Sequence, residues 1–199
     1  MSFNEIFPNH TCIVCKTEIN KSKNPYICDA CTETLPLRKE TVGAQAPFSY
    51  KSPITELILR FKYNAEGDVA KMVAPFMADC NIDTQVLIPV PLSPERLKQR
   101  GYNQALLLAK EVSVISKIPV KEALVRVKKT TAQKHMRLEE RQRNLAGAFR
   151  VKSPKAVRGK RVLLIDDVYT TGTTATECTR ALLRAKAANV QVLTIARVE

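Results

Sequence analysis

Two adjacent carboxylates and the threonine-rich segment after them are the residues with the clearest chemistry in this sequence. The acids are Asp166 and Asp167, and the segment contains Thr170, Thr171, Gly172, Thr173 and Thr174. Threonine hydroxyls and the backbone amides beside a glycine donate hydrogen bonds to a phosphate. The two carboxylates can accept hydrogen bonds from the 2- and 3-hydroxyls of a ribose whose 5-phosphate lies in the segment. The pattern therefore predicts a site for a sugar phosphate.

The elements on either side place this segment where α/β proteins bind phosphates. The aliphatic run 162–165 predicts a buried parallel strand, and residues 175–187 predict a helix whose N-terminus faces the segment. A P-loop would need a lysine here, and a dinucleotide-binding loop would need three spaced glycines; neither is present. An ordinary turn with two solvated acids is the alternative. The segment resembles the 5-phosphoribosyl-1-pyrophosphate (PRPP) signature of type I phosphoribosyltransferases.

Four cysteines near the N-terminus have the spacing of a metal site. Cys12 and Cys15 form one C-x2-C pair, and Cys28 and Cys31 form a second. Two such pairs can close a tetrahedral zinc site, and with four protein ligands no position remains for a catalytic water, so a structural role is predicted. Disulfide bonds are the alternative, which a reducing compartment disfavours. The first forty residues lack a long apolar run, so we expect this module to depend on its metal for folding.

A second anion-binding candidate follows another predicted strand. The apolar run 86–90 leads into Pro91, and Ser93, Arg96 and Arg100 come soon after it. Proline stiffens the exit of the strand, so the following amides and the Ser93 hydroxyl could be held in place for an anion. The segment resembles the pyrophosphate loop of amidophosphoribosyltransferase-type relatives. Basic residues after a strand are also common on ordinary surfaces.

The segment from residue 128 onward has the composition of a mobile lid. It is polar and without periodicity, and a short helix is predicted over residues 137–145. A lid over a phosphate site must supply positive charge and exclude water. An ordinary basic surface loop would have the same composition. The candidate lid residues are Lys129, Gln133, Arg137, Arg141 and Asn144.

The charge of the chain is strongly positive and unevenly distributed. The 199 residues carry a formal net charge of +13, and residues 121–161 hold fourteen Lys or Arg against three Glu. Such a concentration suits single-stranded nucleic acid or a polyphosphate, although a solvated basic face is the simpler alternative. Few aromatic residues are available for base stacking. No leader and no run of about 18 apolar residues is found, so a cytoplasmic protein is predicted.

The order of the predicted elements indicates an α/β protein with a small N-terminal module. Residues 1–40 would form a zinc-ribbon module, and residues 41–199 would form a parallel sheet flanked by helices. The run 190–195 would complete the sheet, and the apolar stripes within 54–61 and 69–76 predict helices that pack on the core.

Several separated motifs together resemble the ComF family of competence proteins. They are the four cysteines, 90–92, 96–104, Gln133 with Arg141 and Asn144, 148–149, and 166–173. The resemblance covers nearly the whole chain. It implies a zinc-ribbon module on a type I phosphoribosyltransferase fold, and a role in taking up single-stranded DNA during natural transformation. It also implies PRPP with Mg²⁺ as a ligand, and a competence helicase or ATPase or other DNA-processing factors as partners.

Whether the site catalyses a reaction stays open in the sequence. Purine-salvage enzymes carry an acid two places before the loop glycine, and Thr170 stands there, so no general base is provided for that chemistry. The chain is too short for a glutaminase domain and begins Met1-Ser2 without a cysteine nucleophile, which argues against glutamine amidotransfer. Three hypotheses remain: a PRPP-binding protein or phosphoribosyltransferase of unknown acceptor, a module that handles nucleic acid, and a protein adaptor docked through the zinc module. The first two are compatible, because a 5-phosphoribosyl group also ends a nucleic-acid strand.

Overall fold

A four-stranded parallel sheet forms the centre of the protein, in the order β1-β6-β5-β2. The computed structural model describes residues 11–19, 22–38, 44–128 and 145–198. The strands of this sheet are β1 (Phe48–Ser49), β2 (Val86–Pro89), β5 (Arg161–Tyr169) and β6 (Asn189–Arg197). Strands β3 (Leu124–Arg126) and β4 (Phe149–Val151) form a separate antiparallel ribbon. The parallel sheet flanked by helices confirms the predicted α/β class.

Helices cover both faces of this sheet. Successive side chains of strand β5 point to opposite faces, and because they are apolar on both, each face must be covered. Leu163 and Ile165 pack on one face in a core with three helices, and Val162 and Leu164 pack on the other face against a single helix. The three helices are α2 (Ile54–Tyr63), α3 (Asp68–Ala78) and α5 (Gln104–Ser116), and the single helix is α6 (Thr173–Arg184). The short helices are α1 (Asp29–Glu33), α4 (Pro94–Arg100) and a 3-10 turn at Pro154–Ala156.

Strand β6 lies inside the sheet and not at its border. It pairs with β5 on one side and with β1 on the other, where Phe48 is in register with Ala196. Gln45 also pairs with Leu193, ahead of β1. The last strand in the chain is therefore covered by the segment that follows the cysteine module. At the opposite border of the sheet, Val120 pairs with Leu87.

The cysteine module packs on helices α2 and α3 and shares their core. Cys12, Ile13, Ile27 and Leu35 belong to the same buried cluster as the apolar residues of those helices. A polar contact supports this packing, because the Asn24 side chain donates a hydrogen bond to the backbone oxygen of Met72 in α3 at 2.9 Å. Residues 11–38 therefore bury no separate core within the described part of the chain.

The β3–β4 ribbon flanks the segment that the sequence predicts to be a lid. Leu124 pairs with Val151 and Arg126 with Phe149, and Val127 donates its amide to Ala148. The predicted short helix at residues 137–145 lies almost entirely outside the described residues. The lid candidates Lys129, Gln133, Arg137, Arg141 and Asn144 lie outside them as well, and their predicted roles stay predictions.

Among the described residues, none of the helices has the length and apolar composition needed to cross a bilayer.

Candidate functional site

The threonine segment forms a tight turn between β5 and α6, as its sequence predicts. Strand β5 ends at Tyr169 and α6 begins at Thr173, two residues earlier than the predicted helix start. Gly172 caps the helix with φ of 72°, a left-handed conformation that glycine adopts without strain. The hydroxyls of Thr171 and Thr173 lie 2.9 Å apart across this turn. The turn therefore presents two hydroxyls beside the N-terminus of a long helix.

A cavity of about 190 Å³ opens beside this turn, between it and the base of the ribbon. Thr171 and Thr173 line it together with Thr176, Glu177 and Arg180. The exposed Arg180 guanidinium pairs at 2.5 Å with the buried Glu177 carboxylate, which also accepts the amide of Gly147 at 3.0 Å. Arg180 thus places a guanidinium group beside the turn, which has no cation of its own. Glu177, which pairs with Arg180, also holds the end of the ribbon next to the cavity.

The two carboxylates lie at the end of β5, and a lysine from another element pairs with one of them. Lys62, in the last turn of α2, lies 3.1 Å from the Asp167 carboxylate, and both side chains are more than four-fifths buried. Asp166 accepts the backbone amide of Asp167 at 2.8 Å. One acid is therefore neutralised by an ion pair, whereas the other is held in place by the backbone.

Asp166 is the perturbed acid of this pair. Burial raises the pKa of Asp166 to about 7, and repulsion from Asp167 adds to the rise. The amide of Asp167 and the charges of Lys62 and Arg100 oppose the rise without cancelling it. Near neutral pH this carboxyl therefore exchanges a proton readily, and ligand hydroxyls that donate to it would favour its ionised form.

The three pyrophosphate candidates are not equivalent in the structure. Ser93 is buried and caps α4, accepting the amide of Arg96 at 3.3 Å, so its oxygen stabilises a helix end. Arg96 is exposed on α4. Arg100 donates to Gln104 at 3.0 Å and lies over the Tyr63 ring, and its charge acts to lower the pKa of Asp166. Arg100 is therefore the one of the three whose charge acts on an acid of the pair.

Sequence reasoning missed the residues that reach the site from other elements. Lys62 and Arg180 each lack a local motif, and Lys62 is over a hundred positions from its partner, whereas Gln104 ends the motif 96–104 but had no role assigned to it. Gln104 is 1% exposed, and its side-chain nitrogen has no hydrogen-bond partner. Only for Arg180 did the sequence contain an indication: helical spacing places Arg180 on the same face of α6 as Thr173 and Thr176, next to the turn.

The turn should be intolerant of any side chain at Gly172. A Cβ there would meet the Tyr169 ring, with Cζ 2.7 Å away, in addition to the cost of a positive φ, which is about 1 to 2 kcal/mol. We expect Gly172→Ala to lower the free energy of unfolding by clearly more than this backbone cost. Gly159→Ala is the matched control, because its φ is 69° and a Cβ would meet nothing within 4 Å. Denaturant titration compares the two; equal losses would show that the overlap is relieved at no cost.

The four cysteines come together as their spacing predicts. Their sulfurs lie within 4.8 Å of one another, and Cys15 and Cys28 Sγ are 3.7 Å apart. A disulfide needs about 2.05 Å, whereas tetrahedral zinc with Zn–S distances of about 2.3 Å places its sulfurs roughly 3.8 Å apart. The thiols can therefore hold a metal ion, and their geometry fits four-coordinate zinc. The Thr17 hydroxyl and amide lower the pKa of Cys15 to about 6, which favours the thiolate that a metal binds.

Comparison with known proteins agrees with this fold. Residues 101–198 match the family model described as phosphoribosyl transferase domain. The chain is 31% identical to "Competence protein F" of Haemophilus influenzae over 96% of this chain and 98% of that protein. It is also 31% identical to "DNA utilization protein YhgH" of Salmonella typhimurium, over 85% of this chain and 77% of that protein.

A parallel sheet with this family match defines a phosphoribosyltransferase-like protein of type I with an N-terminal four-cysteine cluster. The full-length similarity to competence protein F then decides the family. The chain belongs to the ComF family of competence proteins. Among solved structures, the PRPP amidotransferase of B. subtilis aligns at 19% identity and a TM-score of 0.48, over 68% of this chain and 30% of that one.

Proposed function

We propose that this protein binds PRPP, or a closely related 5-phosphoribosyl ligand, at the end of strand β5. The observation that carries the proposal is the placement of Asp166 and Asp167 directly before the threonine turn and its cavity. The ribose hydroxyls would donate to the two acids, and the 5-phosphate would accept from Thr171, Thr173 and the first amides of α6. Arg100 would face the pyrophosphate, and the Mg²⁺ bound to PRPP would offset the charge of these oxygens.

Calorimetric titration of Mg²⁺-PRPP tests this proposal directly. Wild-type protein should bind, and Asp166→Ala/Asp167→Ala should lose binding by about two orders of magnitude or more, because both hydrogen-bond acceptors for the diol are gone. Asp79→Ala/Asp83→Ala removes the same number of carboxylates from exposed positions and should leave affinity unchanged. Absence of binding in the wild type, or equal binding by all three proteins, would refute the proposal.

Catalysis is not assigned to this site, because the acceptor nucleophile and a general base are not identified. The position two residues before the loop glycine is Thr170, which is exposed and cannot act as a general base. The alternative is an active phosphoribosyltransferase that acts on an acceptor other than a purine. Release of pyrophosphate from PRPP on addition of candidate acceptors would distinguish turnover from binding.

We also propose that the protein handles single-stranded DNA in the cytoplasm; its similarity to a DNA utilization protein and to a competence protein supports a role with DNA. The observation that favours this role is the net charge of +13 and its concentration in residues 121–161. DNA would not use the two acids in the way PRPP does. Deoxyribose lacks the 2-hydroxyl, and the 3-hydroxyl is esterified within a strand, so the diol that the acids would bind is missing.

For the cysteine cluster we propose a structural zinc ion, since all four ligands come from the protein. Docking of a competence helicase or ATPase or another DNA-processing factor on this module remains a proposal. Removal of residues 1–40 is a poor test of it, because Cys12, Ile13, Ile27 and Leu35 belong to the main core. Substitutions on the exposed side chains of Lys23 and Glu33 should test docking without unfolding the chain.

A further inference from the structure

A groove of about 600 Å³ lies between helices α4 and α5 and strand β3, outside the sugar-phosphate site. Its floor and walls are mainly apolar and include Leu92, Leu97, Leu106, Leu107 and Leu124. Leu97, on the short helix α4, is 44% exposed although it faces a groove. A mainly apolar groove of this volume has the size of a usual ligand site.

The rim of this groove is basic. Lys110 from α5, Arg126 from β3 and Lys152 after β4 line it, against a single acid, Glu122. Lys110 and Lys152 are exposed, so their ammonium groups can reach ligands at the surface. The charge of the nearby Arg96 adds to the positive potential felt by Arg126. Three basic residues over an apolar floor suit a ligand that combines phosphates with flat apolar groups.

The groove begins beside the strand end that carries the two acids. Val90 donates its amide to the oxygen of Ile165, the residue before Asp166. Pro91, the next residue after Val90, lines the groove, and so does Asn103, whose side chain donates to the Val90 oxygen at 3.0 Å. The groove therefore lies next to the end of β5, and neither the two acids nor the threonine turn contributes to its lining.

We propose that this groove binds an unpaired stretch of single-stranded DNA, with bases on the leucine floor and phosphates on Lys110 and Lys152. The inference rests on the proposed DNA-handling role and assigns it a site. Single-strand binding sites combine a basic track with aromatic platforms that stack bases of any sequence. Bases also pack against apolar side chains, and in this groove leucines would take that role. Bases within a duplex are stacked on each other and cannot reach such a floor.

Fluorescence anisotropy with labelled oligothymidylate of about twelve nucleotides tests the assignment at several salt concentrations. Lys110→Glu/Lys152→Glu should weaken binding at least about tenfold at low salt and reduce the slope against log salt by roughly 1.4, the value for two phosphate contacts to a single strand. Lys23→Glu/Lys186→Glu makes the same change in net charge at exposed positions outside the groove and outside the basic segment 121–161, and should have a much smaller effect. Titration of PRPP into each variant confirms that the neighbouring site is intact.

The leucine floor is tested separately with Leu97→Asn. This variant should lose about tenfold in affinity for oligothymidylate and little for an abasic strand of equal length, because only bases contact the floor. If the wild type binds the oligonucleotide and Lys110→Glu/Lys152→Glu binds as its control does, the groove is not the DNA site, although the DNA-handling role stands. Equal affinity for a duplex of the same length would also overturn it. No binding by the wild type would overturn both the groove and the DNA-handling role.

Discussion

Cys15→Ser is expected to unfold most of this protein and not only its N-terminal module. Cys15 is exposed and outside the buried hydrophobic cluster, so the substitution removes one of the four proposed metal ligands without opening a cavity in the core. Metal binding at structural zinc sites contributes on the order of 10 kcal/mol to folding, which is comparable to the whole stability of a typical domain. Because Cys12 and Ile13 pack with helices α2 and α3, loss of the module exposes the core beneath it.

Circular dichroism and thermal denaturation, with and without a strong chelator, measure this effect. Chelation of the wild type should reproduce the behaviour of Cys15→Ser. Cys80→Ser is the control, because Cys80 is half-buried and is not one of the four clustered cysteines. A variant that loses only the signal of residues 11–38 and keeps the remaining transition would contradict a shared core.

Asp166→Asn is expected to stabilise the ligand-free protein at neutral and alkaline pH while it abolishes PRPP binding. The folded-state pKa of Asp166 is raised from 3.8 to about 7 by burial and by Asp167. Below pH 4 both folded and unfolded chains hold the proton, and the group costs nothing. Between pH 4 and 7 the unfolded chain ionises first, so wild-type stability falls as pH rises.

The gain from Asp166→Asn should therefore be near zero at pH 4 and reach on the order of 2 to 4 kcal/mol above pH 7. Denaturant midpoints across this range measure it. Asp79→Asn makes the same chemical change at an exposed position, where no buried carboxylate is removed. A stability gain for Asp166→Asn that does not depend on pH would show that the carboxyl is not the source. If Asp166→Asn raises stability and loses PRPP binding, the residue lowers the stability of the free protein in order to bind ligand, as is common at binding sites.

The sequence was informative wherever the chemistry is contiguous along the chain. The acids, the threonine turn and the two cysteine pairs each lie within a few residues, so type and spacing predicted their local structure. The strand–turn–helix around Gly172 and the cysteine cluster formed as predicted. The aliphatic run before Asp166 likewise predicted a strand buried on both faces, and it forms part of β5.

Contacts between distant segments could not be predicted in this way. Nothing in the sequence distinguishes Lys62 from the other lysines, and only the packing of α2 brings it to Asp167. The position of β6 inside the sheet depends on Phe48 and Gln45 reaching its outer side, which no local pattern encodes. Ser93 caps helix α4 through its hydroxyl oxygen, a role that the sequence did not predict, and its role toward an anion stays a prediction.

Helix α2 connects both sites of the protein through two side chains that are two positions apart. Arg60 donates to the oxygen of Ile13 in the cysteine turn and pairs with Glu66, whereas Lys62 pairs with Asp167. Residues at this spacing point to different sides of a helix, so α2 contacts the two sites at once. In evolution, the module and the sheet are therefore expected to be inherited together. A chimera that takes its cysteine module from one relative and its sheet from another would need α2 and Glu66 matched to both parents.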